Sequence, residues 1–221
     1  TLMLGALLSS LGAWQLGRAQ HKRALEAAYA AAPQQAALDL DGGIEPARSE
    51  TVVRAKASGR YRADRQILLD NQPRQRVPGY RVWTPMEMDS GSWVLVDRGW
   101  VAANPDRGVL PEIDFEGPPP QRASGYWRPL PEPGLRLADP GCAAAPFPRV
   151  LSFPTLETVR CVLEVPVLPG VLLLDPDQPQ GYVREWDHPN PVPPARHYAY
   201  AAQWFAFAAT LLFLFVKLNL K

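Results

Sequence analysis

Hydrophobic and polar positions divide the chain into two uncharged ends and a punctuated middle. From Tyr198 to Val216 only Gln203 and Thr210 are clearly polar, and Lys217 closes the run. A helix there is roughly 29 Å long at about 1.5 Å per residue, the thickness of a bilayer core. Thr1 to Gly17 is likewise free of charge and ends at Arg18. The pattern therefore predicts two transmembrane helices, residues 1–17 and 197–217, with a domain over residues 18–196 between them. The chain opens on Thr rather than Met, so the first span is expected to be truncated at its start. A cleavable signal peptide is the competing reading of so short an apolar run. Against it, no A-x-A-like site follows, and W-Q-L-G-R-A-Q-H-K-R-A-L-E reads as a helix continuing out of the membrane. Gly5, Ser9, Ala13 and Gly17 recur every fourth residue, a small-residue face that lets another membrane helix approach closely.

Between the spans, short β-rich runs alternate with turn residues. Strands are predicted over residues 51–61, 66–70, 80–85, 92–101, 121–127 and 171–175, from apolar alternation and Val, Ile, Tyr and Trp enrichment. Six short strands with turn signals between them imply a small antiparallel barrel or sandwich. The expected fold is a membrane-anchored, mainly-β (α+β) domain. Helices are predicted over residues 18–31, continuing the first span, and 155–163, where Thr155 can cap the N-terminus. Leu38 to Arg48 and Pro129 to Pro148 read as loops. Twenty of the 25 prolines lie between Pro105 and Pro194, which excludes long helices from that half.

Composition narrows the classes. A chain of 221 residues with 47% hydrophobic residues is large enough for one medium-sized domain with a core. Its net charge of +1 provides no basic footprint for nucleic acid. Arg18, Lys22, Arg23 and Arg196 flank the spans on the domain side, and Lys217 and Lys221 on the other. The positive-inside rule would then put the domain inside the cell, but a connection of about 180 residues lies beyond the range of that rule.

Candidate chemistry is sparse. His21, His188 and His197 are the only histidines, and no H-E-x-x-H, G-x-S-x-G, P-loop or G-x-G-x-x-G occurs, so no catalytic role is expected. Asp175 and Asp177 in D-P-D-Q-P are turn-makers or a metal pair. Cys142 and Cys161 can form a disulfide closing a loop of about 20 residues, worth about 3 kcal/mol, in an oxidising compartment; free buried thiols and a two-cysteine copper site are the alternatives. Arg98, Gly99 and Trp100 end the strongest strand, either as a structural corner or as a contact surface for a partner.

Helix arithmetic brings a set of residues to one depth. With Lys217 at the inner interface, His197 lies about 30 Å away, at the outer edge of the hydrocarbon. With Arg18 at the outer end of the first span, Trp14 and Gln15 are less than one turn deeper. His197, Tyr198, Tyr200, Trp204, Trp14, Gln15 and Arg18 then share a layer. His197, Tyr200, Ala201 and Trp204 share one helical face. An aromatic belt accounts for the tyrosines and tryptophans. It does not require His197, whose place at the positive end of a helix favours the neutral imidazole that metals and haem iron bind. Arg18 and Arg196 are available for the acidic substituents of a planar cofactor.

Five segments in order resemble the surfeit-locus-one family of cytochrome c oxidase assembly proteins. They are L-G-A-W-Q-L-G-R-A-Q-H-K (11–22), G-Y-R-V-W-T-P (79–85), V-D-R-G-W-V (96–101), G-Y-V-R-E-W (181–186) and R-H-Y-A-Y-A-A-Q-W-F (196–205). The resemblance implies two spans, both termini on the cytoplasmic side and a periplasmic domain in a bacterial inner membrane. It implies an assembly factor that helps deliver haem a to cytochrome c oxidase subunit I, with heme A synthase as upstream donor, and not an enzyme. A non-catalytic accessory subunit that braces the oxidase without binding haem is the alternative. By the same resemblance His197 is the haem-iron ligand, with Trp14, Gln15, Arg18, Arg196, Tyr200 and Trp204 around the cofactor and Arg98, Gly99 and Trp100 as partner contacts. Asp97 stands where the family often has Asn, and Tyr198 where it often has Leu. Residues 129–165, with both cysteines, match no family motif.

Overall fold

The apolar alternation resolves into eight strands and three α-helices among the described residues (2–45, 50–130, 142, 145–186 and 192–219) of a computed structural model. The strands are β1 (Leu38–Asp39), β2 (Val53–Tyr61), β3 (Ile67–Leu69), β4 (Gly79–Met88), β5 (Trp93–Ala102), β6 (Arg122–Arg128), β7 (Arg149–Leu151) and β8 (Val167–Leu174). The helices are α1 (Leu2–Ala31), α2 (Leu156–Leu163) and α3 (Pro194–Asn219). The chain falls into two units, residues 31–186 and residues 1–30 with 187–221.

In residues 31–186 five strands close on themselves. β2 pairs antiparallel with β6, β6 antiparallel with β8, β8 parallel with β5, β5 antiparallel with β4, and β4 antiparallel with β2. The result is a five-stranded Greek-key barrel of the OB type, whose closure removes the exposed edges of an open sheet. β1 lies parallel to β2, β3 pairs antiparallel with β4, and β7 runs parallel along β3. Of the expected antiparallel barrel or sandwich, the barrel is what forms, with one correction: three of these pairings are parallel. After β6 the chain crosses over through α2 and returns in β8 antiparallel to β6, which leaves β8 pointing the same way as β5. Parallel neighbours need such a long crossover.

Burial follows the pattern along β2, where Val53, Ala55, Ala57 and Tyr61 are buried and Lys56 and Arg60 are open. Together with Met86, Val94, Val96, Trp127 and Leu172 they form the main core, each large side chain contributing about 1.5–3 kcal/mol on full burial. β5 is buried continuously from Trp93 to Gly99, the mark of a strand covered on both faces. A second cluster of Leu68, Tyr80, Val82 and Ile113 gathers Leu110 and Tyr182 against it.

The loop expected over Leu38 to Arg48 contains β1 and a 3-10 turn at Leu40–Gly42, and its residues 46–48 lie outside the described ones. Most of the loop expected over Pro129 to Pro148 also lies outside them. α2 starts where anticipated, with the Thr158 amide donating to Thr155 Oγ1 at 3.2 Å. Cys142 and Cys161 are joined in a disulfide with Cα atoms 5.6 Å apart, which answers the question the sequence left open in favour of the bridge over free thiols or copper.

In the other unit α1 is continuous from its apolar half into Arg18–Ala31, as the pattern predicts. Pro33, which cannot extend the helix, follows its end. Among the described helices, α3 is the one long and apolar enough to cross a membrane. The small-residue face needs correction. Gly12, not Gly17, meets α3: a Cβ on Gly12 would lie 2.8 Å from the Phe205 ring, whereas one on Gly17 would meet nothing, and Ala13 is exposed. At about 100° per residue, steps of four over-rotate by roughly 40°, so residues four apart do not stay on one line of contact, and a Cβ on Gly5, like one on Gly17, would meet nothing.

Candidate functional site

Two constellations gather the sequence-marked residues, one in each unit. In the helical unit, Gln15 sits one turn beyond Gly12 on α1 and His197 lies in the first turn of α3. His197 Nδ1 is 2.8 Å from Gln15 Oε1. A carbonyl oxygen only accepts, so Nδ1 carries a proton, and in the neutral imidazole Nε2 keeps its lone pair. Nε2 is buried and has no hydrogen-bond partner among the described residues. Such an atom is costly in an apolar setting unless something is bound to it. Lys22, two turns further along α1, is buried and donates from Nζ to the Val192 carbonyl at 2.8 Å, which ties down the residues that lead into α3.

The remaining residues of the expected layer are placed differently. Trp14 is 58% exposed; one residue from Gln15, it is turned by about 100° to another face of α1. Arg18 and Arg196 are exposed. Tyr200 is 43% exposed, and Trp204 is half-buried with its ring edge-on to Phe207 at 6.1 Å. The structure thus brings His197 and Gln15 into contact and leaves Trp14, Arg18, Arg196 and Tyr200 open around that level. Lys22 and Gly12 were not singled out as site residues, although both lie in the L-G-A-W-Q-L-G-R-A-Q-H-K segment.

In the barrel unit three of the marked segments lock together. Asp97, 1% exposed, accepts from Arg81 Nε at 2.9 Å, from Trp83 Nε1 at 3.1 Å and from the Gly99 amide at 3.0 Å. Arg81 also lies over the Trp186 ring at 4.2 Å. Gly99 has φ of +117°, and a Cβ there would lie 2.8 Å from the Val183 carbonyl oxygen. The close approach lets residues 182–183 pair with the end of β5: the Trp100 amide donates to Val183 O at 2.8 Å and the Tyr182 amide to Arg98 O at 2.6 Å.

Arg98 is also 1% exposed. Its guanidinium donates to Gln180 O at 2.8 Å, Gln66 Oε1 at 3.0 Å and Ile113 O at 3.1 Å, and sits 3.8 Å from the Phe115 ring centre and 4.9 Å from that of Tyr182. Burial holds this cation below its ordinary value, and the neighbouring tyrosines Tyr182 and Tyr61 oppose that. Trp100 is half-buried and donates from Nε1 to Gln72 O at 2.6 Å. Of the expected contact triplet, Arg98 and Gly99 are interior and occupied by the fold; Trp100 alone offers part of its surface.

Asp175 is gripped bidentately by Arg54 at 2.6 and 2.7 Å and accepts from Ser124 Oγ at 3.2 Å, an ion pair holding β2 to the end of β8. Among the described residues no three His, Cys, Asp or Glu side chains cluster as metal ligands. A haem iron, by contrast, needs only one axial nitrogen from a helix, and the orphaned Nε2 of His197 fits that need. The sequence signature of the SURF1 family matches residues 2–209 of the chain. No curated protein sequence shows significant similarity to it.

Proposed function

The chain belongs to the SURF1 family, whose members act in cytochrome c oxidase assembly, and we propose that within that process it holds haem a at His197 for delivery to oxidase subunit I. The observation that carries the reading is the buried, unpartnered Nε2 of His197. When bound, haem would supply an iron able to take an imidazole nitrogen, which His197 would provide. Gln15 fixes the tautomer in which Nε2 is the ligand and orients the ring, as second partners of ligating histidines do. Trp14 and Tyr200 present aromatic surface near that level, Trp204 lies about two turns further along α3, and the exposed Arg18 and Arg196 would pair with the acidic substituents. Nε2 is covered in this state, so loading includes uncovering it.

In this reading both α1 and α3 span a bacterial inner membrane, with the barrel on the periplasmic side and heme A synthase as the donor. The apolar α3 supports membrane association. The Cys142–Cys161 disulfide supports an oxidising compartment for the barrel. The test is spectroscopic. Full-length protein purified from cells making haem a should show a Soret band that His197→Ala removes or shifts, and Gln15→Leu should weaken binding by about 10–100-fold. An unchanged spectrum in His197→Ala rejects the ligand assignment. Wild-type protein that never carries haem, yet co-purifies stoichiometrically with mature oxidase, is instead an accessory subunit.

A further inference from the structure

Trp100, the one residue of the R-G-W segment with open surface, carries a hairpin. Its indole Nε1 donates to Gln72 O at 2.6 Å, its ring packs against Gly79, where a side chain would collide, and Arg74 lies over it, 5.8 Å from the ring centre. At the tip Arg74 and Val77 exchange both backbone hydrogen bonds at 2.9 Å, with Gln75 at φ of +50° and Arg76 at φ of +68°. That is a two-residue turn of type I′, whose positive φ values are normally met by Asn-Gly or Gly-Gly. Two long side chains in left-handed conformations are strained, and backbone strain of this kind gathers where binding or switching happens. We infer that the hairpin is a docking arm, on which Arg76 takes a carboxylate from an acidic, partly apolar segment of a partner protein.

Charge and exposure together select that occupant. The arginines beside Arg76 are already engaged: Arg74 pairs with Glu185 at 3.2 Å, and Arg107 with Asp70 at 2.7 Å while lying 5.0 Å from the Tyr80 ring centre. Arg76 is exposed and makes no hydrogen bond or ion pair among the described residues. It opens on a cleft of about 430 Å³, lined also by Pro73, Pro78, Arg107, Ser152 and Phe153. The charged residues of the cleft are Asp70, Arg76 and Arg107, two cations against one anion, so a single carboxylate neutralises it. A phosphate backbone or an anionic lipid surface would bring many charges at once, and Asp70 and Glu185 would repel those that Arg76 does not bind. The apolar half of the fit is equally local. Among the described residues the barrel unit leaves Val77, Val109, Val150, Phe153 and Val183 open. Val77 is on the hairpin, Val183 is bonded to Trp100 through the backbone, Val109 follows Arg107, and Val150 and Phe153 belong to β7 and the residues just after it. Work in oxidase assembly gives the family a protein to hold, and the arm does so whether or not haem is ligated at His197.

The test uses full-length protein in cells that assemble the oxidase. Val77→p-benzoylphenylalanine, on the hairpin, should crosslink on irradiation to one protein, and the mapped peptide should carry an Asp or Glu beside an apolar residue. Asp89→p-benzoylphenylalanine, exposed just past the other end of β4, is the control and should give no such product. Adding Arg76→Glu should lower the Val77 yield about tenfold, and changing the partner's carboxylate to Arg should then restore it. Gln75→Asn combined with Arg76→Gly keeps the turn type without the strain. That variant should unfold at a higher urea concentration than wild type and still lose the crosslink. The arm is rejected if Val77 crosslinks no more than Asp89, if lipid alone is captured, or if the mapped peptide has no acidic residue. It is also rejected if the yield withstands Arg76→Glu, if the reversed pair fails to recover it, or if the more stable double variant crosslinks as wild type does.

Discussion

Asp97→Ala is the sharpest test of what holds the barrel's marked segments together. The substitution removes a carboxylate that is 1% exposed and strands three donors at once: the Arg81 guanidinium, the Trp83 indole and the Gly99 amide. The Arg81 side chain keeps 18% of its surface open, so water can rehydrate it partly, but the Trp83 donor is fully enclosed. Breaking a buried pair by deleting one partner costs about 3–5 kcal/mol, and partial access for Arg81 argues for the lower half, about 3–4 kcal/mol. Asp97→Asn keeps an acceptor for one of the two neutral donors and loses the charge, so it should cost about half as much, roughly 1.5–2 kcal/mol. Urea unfolding of the full-length protein in detergent, followed by near-UV circular dichroism, measures both. Arg81→Leu and the double variant complete a cycle that isolates the pair from the other two donors. Loss of less than about 1 kcal/mol in Asp97→Ala would refute the reasoning, since it would mean that the three donors find other partners without cost.

Three further outcomes are expected. Gly99→Ala forces a side chain into a left-handed conformation against the Val183 carbonyl and should cost at least about 1–3 kcal/mol, read by the same unfolding assay and by faster proteolysis after residue 180; wild-type stability would show that residues 182–183 dock without the close approach. Burial pushes the Tyr61 phenol well above its ordinary value, with Arg98 and Arg184 opposing. Its protonated form is favoured in the folded state, so the stabilisation is complete below about pH 10 and fades as pH rises through the raised value. Stability should then fall by up to about 1.4 kcal/mol per pH unit above pH 10, and Tyr61→Phe should flatten that slope; an unchanged slope would place the effect elsewhere. Reduction of Cys142–Cys161 should lower stability by roughly 3 kcal/mol, as should its replacement by two alanines, and a reductant-insensitive melting curve would contradict this.

How much of this was legible beforehand depends on how far each feature repeats. β2, β4, β5 and β6 declare themselves because seven to ten residues of alternating or continuous apolar character leave no helical reading. β1 and β7, at two and three residues, are shorter than any period and are strands only because β2 and β3 offer them an edge. The parallel β5–β8 pairing depends on the path of the crossover, which no local pattern encodes. At the candidate site, depth alone predicted that Gln15 and His197 share a level. Depth could not say that Trp14 faces elsewhere, because one residue along a helix changes direction by about 100° but height by only about 1.5 Å. The role of Asp97 was available from the sequence: a charge pair, Asp97-Arg98, inside an otherwise apolar strand must find partners or stay unfolded. The partners of Asp97, Arg81 and Trp83, lie in the marked segment 79–85, whereas those of Arg98, Gln66 and Gln180, come from distant segments that carry no signal of their own.

Arg98 shows why the R-G-W segment is better understood as a clamp than as a contact surface. Among the described residues no carboxylate hydrogen-bonds to the cation; its hydrogen bonds go to the neutral oxygens of Gln66, Ile113, Gln180 and, at 3.5 Å, Thr84, and two aromatic faces lie against it. Burying an unpaired charge this way is expensive, and a hydrophobic side chain would fill the space at less cost. What a hydrophobe cannot do is bind three separate pieces of chain in one plane, which the five donors of a guanidinium can. Gln66 precedes β3, Ile113 belongs to the stretch between β5 and β6, and Gln180 opens the segment that docks on Trp100. The cost of the charge is thus tied to the closure of the barrel's outer cover: if any one of the three segments lifts, the guanidinium loses a partner without gaining enough water to replace it. Gly99 and Asp97, on either side, fix the strand end that aims Arg98 inward. Changes in this triplet should therefore act first on folding of the barrel, whereas changes at Gln15 or His197 should act on haem and leave barrel unfolding untouched.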